Sequence, residues 1–229
     1  MNRFAQMFEE TQFPLIVSLP YNQLEFAQAA ADSGADAIKM HTSVPHYASG
    51  TEFGNLEEEA PTFAAIREVV DLPLGIVPGV GSDLEIDEIR RMADLGFDFF
   101  DAFITNMTPL IWQEARLAPM LCVLPHHTLE ETTVTASLPR IVCLEADIVE
   151  HSGYGARLCV EDCVTYKRIS HAIKVPLVVP TQRAIRPEEV GFLAEMGVGS
   201  IMIGAIVTGT TVEGVVEMTR RFRAAIDRL

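Results

Sequence analysis

Lys39 lies between Ile38 and Met40, inside an apolar run that predicts a buried strand. A buried ammonium is costly unless it is paired. At the mouth of a fold, desolvation lowers the pKa of an amine and makes it an acid/base group or an imine-forming nucleophile. The plainer alternative is an interior ion pair with Asp101 or Glu145. Glu145 and Asp147 are separated by one residue, so on a strand they point to the same side. Two carboxyls sharing one side need a cation, a metal or a shared proton. A metal would draw on His126 or His127, but no ligand spacing enforces it, and the reading is of a site with no metal and no cofactor.

These residues act together only if their segments meet. Apolar, β-branched runs predict strands at Pro14–Pro20, Asp36–His41, Leu72–Pro78, Asp98–Thr105, Pro119–Leu124, Arg140–Ile148, Leu177–Val179 and Ile201–Ile203. Helical patterns cover residues 1–12, Leu24–Ser33, Pro61–Val70, Asp83–Leu95, Pro109–Leu117, Thr128–Ser137 and Val160–Ile173. They also cover a segment opening at Pro187 and the closing Thr211–Leu229. Ser82 is the expected cap of the fourth helix, and Thr42–Ala60 is expected as a long loop of the kind that forms lids. Eight strands alternating with helices predict a closed, parallel (β/α)8 TIM barrel of one domain, residues 1–229. An open doubly wound sheet would carry a Gly-rich first turn, and SLPYNQ after the first strand is unlike one.

In such barrels chemistry sits at the carboxyl ends of the strands. That rule nominates Lys39, Asp101 and Glu145 for catalysis, and Ser18, His41, His126, Tyr154 and Thr181 for contact with substrate. Arg183, Gly204 and Ala205, in the last two strand-to-helix units, are the expected holders of a phosphate or similar anion. His46 and Tyr47 lie in the expected lid.

The formal charge of −15 disfavours binding to nucleic acid or to anionic membranes, and no apolar run reaches the length of a membrane span. The four cysteines, Cys122, Cys143, Cys159 and Cys163, form no CxxC pair and read as buried, reduced thiols. A cytoplasmic protein acting on a small molecule fits this composition.

Several stretches resemble the N-acetylmannosamine-6-phosphate 2-epimerases, within the ribulose-phosphate-binding barrel group. They are LIVSLP, AAADSGADAI, AAIREVVDLPLGIV, MADLGFDFFDAFIT, SGYG at 152–155 and the run VVPTQRAIRPEEV…EMGVGSIMIGAIVTG. The resemblance implies a barrel enzyme, commonly dimeric, that moves a proton next to the carbonyl of a phosphorylated sugar. It keeps Asp101 and Arg183. Where the family has a catalytic lysine after the third strand, this chain has Pro78; where it has an acid after the seventh, this chain has Thr181.

Overall fold

The computed structural model describes residues 2–79 and 84–229. Eight parallel strands close into a barrel: β1 (Leu15–Ser18), β2 (Ala37–His41), β3 (Leu74–Val77), β4 (Phe99–Phe103), β5 (Ala118–Val123), β6 (Cys143–Ala146), β7 (Leu177–Pro180) and β8 (Ser200–Ile203). Each strand pairs with its neighbours in sequence, and β8 returns to β1 with Leu15 opposite Ile201. The strands are short, apolar and almost wholly buried, because one side faces the barrel interior and the other the surrounding helices.

The interior is built in layers. Its lower part is apolar, with Ile16, Ala37, Phe99, Met120, Cys143, Val178 and Met202 in one cluster. Helix α1 (Arg3–Glu10) closes this end from below, as the amphipathic pattern of the first twelve residues requires. Phe4 and Met7 enter the cluster, and the Phe4 ring stacks on Phe99 with centroids 3.7 Å apart. Gly75 makes room for the Phe99 ring: a Cβ there would run into its Cζ. Because side chains alternate along a strand, residues two positions further on form the next layer. That layer is polar, and it contains Ser18, Lys39, Asp101, Cys122 and Glu145.

Three expectations are corrected. The segment expected as a loop from Thr42 to Ala60 contains a hairpin, Pro45–His46 against Thr51–Glu52, and the first turn of a helix. That helix, α2 here, spans Leu56–Val69 and begins before Pro61, because Asn55 and Glu58 cap it reciprocally. The helix expected over Pro109–Leu117 is a single turn, Pro109–Trp112. Beyond it the chain extends into β5, with Leu117 buried. Cys159 is exposed, unlike the other three cysteines. The expected cap Ser82 lies outside the described residues.

Candidate active site

The polar layer forms the floor of a cavity of about 410 Å³ at the carboxyl ends of the strands. Lys39 on β2 reaches across the barrel to β4, where its Nζ lies 2.6 Å from Asp101 Oδ2, and it stands 3.7 Å from Glu145 Oε2 on β6. All three side chains are buried. The Cys122 Sγ, opposite Glu145 in register, lies 3.3 Å from Asp101 Oδ1 and 3.4 Å from Glu145 Oε2, with a single S–H to donate between them.

The electrostatics follow from this crowding. Burial alone would drive a proton off Lys39, but the surrounding acids, with the Asp101 charge and hydrogen bond foremost, outweigh it and raise the pKa above the ordinary lysine value. The lowered pKa expected from the sequence is therefore not what the geometry produces. Glu145 moves up well above the usual carboxyl range, first through burial and then through Asp101, only partly offset by Lys39. Asp147 is raised for the same leading reasons. Burial, followed by Asp101 and Glu145, also keeps the Cys122 thiol protonated. The floor thus holds one fixed ammonium and a carboxyl poised as a neutral acid.

Around the rim, Asp147 and Tyr154 are joined through Gln182, whose Nε2 donates to an Asp147 oxygen and, at 2.8 Å, to the Tyr154 hydroxyl. Gln182 Oε1 accepts from the Val149 N–H at 3.1 Å, which fixes the amide. Thr181 Oγ1 accepts the Gly204 N–H at 3.0 Å. Asn22 clamps the His41 backbone on both its N–H and its carbonyl. The His41 ring stacks on Phe53 at 4.7 Å, with its Nε2 3.5 Å from Ser18 Oγ. The hairpin between β2 and α2 leans over the mouth, where Tyr47 stacks on His151 at 4.3 Å.

Of the residues nominated from the sequence, Ser18, Lys39, His41, Asp101, Glu145, Tyr154, Thr181, Gly204 and Ala205 all line this cavity. Two are placed elsewhere. Arg183 turns away from the mouth: its guanidinium bonds Asp162 Oδ1 at 2.9 and 3.2 Å and the Gly153 carbonyl at 2.9 Å. A guanidinium fork is well matched to a carboxylate, and Asp162 in the first turn of the helix Val160–Ala172 takes it. His126 is exposed on the loop after β5 and packs edge-on against His127. His127 and Arg183 line a separate cavity. The sequence reading gave Cys122 no part in the site and assigned no contact to Gln182 or His46. The Cys122 signal was present, since it alternates with Leu121 and Val123 on the same period that placed Glu145 inside.

Asp101, Cys122 and Glu145 offer ligand atoms within 4.8 Å of one another, a spacing that suits a metal ion. The Lys39 ammonium already stands against both carboxyls, so the protein supplies its own cation to this cluster.

No protein-family model and no curated protein matches the chain. Solved structures do. The neighbours share the barrel. A ligand-free tryptophan synthase from M. tuberculosis superposes with a TM-score of 0.73 at 15% identity, covering 100% of both chains. A tryptophan synthase alpha-subunit from Pyrococcus furiosus gives 0.70 at 14% identity over 91% of this chain and 97% of its own. A thiamine phosphate pyrophosphorylase from the same organism gives 0.66 at 16% identity over 96% and 98%. At such identities the likeness establishes the (β/α)8 barrel fold alone. Among the described residues no helix is long and apolar enough to cross a membrane.

Proposed function

We propose that the barrel is an isomerase- or epimerase-like enzyme that moves a proton next to the carbonyl of a small molecule. The observation that carries this reading is the Lys39–Asp101 contact beside Glu145, whose carboxyl is held as a neutral acid at the floor of the cavity. Asp101 takes the proton from the carbon next to the carbonyl, and Glu145 gives its proton to the carbonyl oxygen. The Lys39 ammonium stabilises the negative charge that develops on that oxygen. An epimerisation is completed when a proton from solvent reaches the opposite face of that carbon, Asp101 releases to solvent the proton it took, and Glu145 recovers its own from the enol oxygen.

The phosphate part of the proposal rests on β8. Gly204 and Ala205 line the cavity, and the N–H groups of Ala205 and Ile206 have no acceptor among the described residues. With Arg183 committed to Asp162, backbone alone would meet the anion. N-acetylmannosamine 6-phosphate is the first substrate to test, on the strength of the sequence resemblance. Turnover that drops on Glu145→Gln supports the reading; turnover indifferent to that substitution removes it.

A second reading, a barrel that binds a small molecule without catalysis, is favoured by Pro78 and Thr181, which replace the lysine and the acid of the resembling family. An imine-forming lyase is disfavoured, because the Asp101 carboxylate, 2.6 Å from its Nζ, holds the proton on Lys39.

A further inference from the structure

We infer that His46 presents an unprotonated Nε2 to the cavity as acceptor for a hydroxyl or N–H donor of the bound molecule, its tautomer fixed by a hydroxyl chain through Ser49 and Thr51. The assignment follows from counting protons. The Pro20 carbonyl can only accept, so the Thr51 hydroxyl spends its one proton on it, at 2.8 Å. Thr51 Oγ1 is then the acceptor in its 2.8 Å contact with Ser49, which spends the Ser49 proton. Ser49 Oγ lies 2.7 Å from His46 Nδ1 and has only lone pairs left, so Nδ1 carries the hydrogen and donates it. The Thr51 N–H also points at Ser49 Oγ, at 3.4 Å, which agrees with an oxygen acting as acceptor.

The ring is held in place as well as in tautomer. It packs 4.4 Å from the His41 ring and 5.9 Å from Phe53. His46 lines the cavity, and its Nε2 has no partner among the described residues. His41 differs: its Nδ1 is buried without a partner, closed off from any ligand. Burial, followed by the Lys39 charge, pushes the His46 imidazole down to about 4, so it is neutral at physiological pH. A neutral imidazole with Nδ1 occupied offers one lone pair and no proton on Nε2. It favours a donor and repels an anion's oxygen, which places the hydroxylated or amide-bearing part of the molecule beneath the hairpin. Ser49 and Thr51 act through His46 and are positioning residues.

The nature of the bound molecule rests on the function proposed above; the tautomer does not. The direct test uses the full chain labelled with ¹⁵N-histidine and long-range ¹H–¹⁵N correlation at neutral pH. The expected pattern for His46 is a protonated Nδ1 and a bare Nε2. In Thr51→Val the Ser49 proton is released, and His46 is expected to shift towards the Nε2–H form. An Nε2–H pattern in the parent chain, or an unchanged pattern in Thr51→Val, overturns the assignment. Titration with N-acetylmannosamine 6-phosphate supplies the second arm. His46→Phe, which keeps an aromatic ring and loses the acceptor, is expected to bind it about tenfold more weakly. Equal affinity overturns the donor contact. If the parent chain does not bind this sugar phosphate, the functional reading fails and the tautomer alone decides the present inference.

Discussion

Lys39 on β2 and Asp101 on β4 meet across the barrel interior at 2.6 Å, in a layer where both side chains are buried. Neither strand pairs with the other, so the contact ties two non-adjacent walls of the barrel through its centre. Removing one partner leaves the other charge stranded. Lys39→Met is expected to cost about 3–5 kcal/mol of stability, the usual penalty for an uncompensated buried charge. The double change Lys39→Met with Asp101→Leu is expected to recover much of that loss. Urea unfolding of the two variants checks this; a single variant as stable as the parent would mean that the pair carries no such energy.

The same contact predicts the outcome of amine trapping. Because Asp101 holds a proton on Lys39, carbonyl compounds reduced with borohydride in the presence of the protein are expected to leave Lys39 unmodified. Peptide mass spectrometry reads this directly. A stoichiometric adduct on Lys39 would replace proton transfer with imine chemistry.

The paired histidines of the mouth set the acid limb of stability. His41 and His46 both have pKa values depressed by burial; neighbouring charge adds to this, from His46 then Lys39 for His41, and from Lys39 for His46. As pH falls below the ordinary histidine value of 6.5, the unfolded chain takes up these protons before the folded one does. Stability contributed by neutral His46 is therefore full above 6.5 and drains away until pH reaches about 4. Glu145 and Asp147, with raised values, bind protons more readily when folded and act in the opposite sense. The informative quantity is the difference between parent and His46→Phe. Melting temperatures between pH 7 and pH 4.5 are expected to fall less steeply in the variant, and parallel curves would contradict the assignment.

At the closed end of the barrel the energetics are those of packing. Phe4→Ala removes the ring that stacks on Phe99 and opens a void beneath the interior cluster, at an expected cost of about 3–5 kcal/mol. Gly75→Ala drives a methyl group into the Phe99 ring and is expected to cost about 1–3 kcal/mol. Denaturant unfolding measures both; a neutral Phe4→Ala would show that α1 is not needed to seal the floor.

The barrel was legible because burial on both faces leaves a strong trace: short β-branched strands, each followed by a helix. The interior charges were legible for the same reason, since Lys39 and Asp101 interrupt runs that are otherwise apolar. What the sequence hid was direction. Arg183 follows Gln182 at the end of β7, and nothing in their order says that Gln182 enters the mouth while Arg183 turns to Asp162. The sign of the Lys39 shift was hidden too, because it depends on how closely Asp101 approaches. His46 lay in a segment read as loop. Its role depends on Ser49 and Thr51 folding back in a hairpin, a relationship that periodicity does not reveal.

The most direct test of the proton-transfer account is solvent exchange. With the parent protein in D₂O, the proton next to the carbonyl of N-acetylmannosamine 6-phosphate, or of a related N-acetylamino-sugar phosphate, is followed by NMR. The account predicts catalysed loss of that signal, slowed by about 10²–10⁴-fold in Glu145→Gln. Binding of such a compound with no exchange in the parent protein would contradict it and leave a barrel that holds its ligand without transforming it.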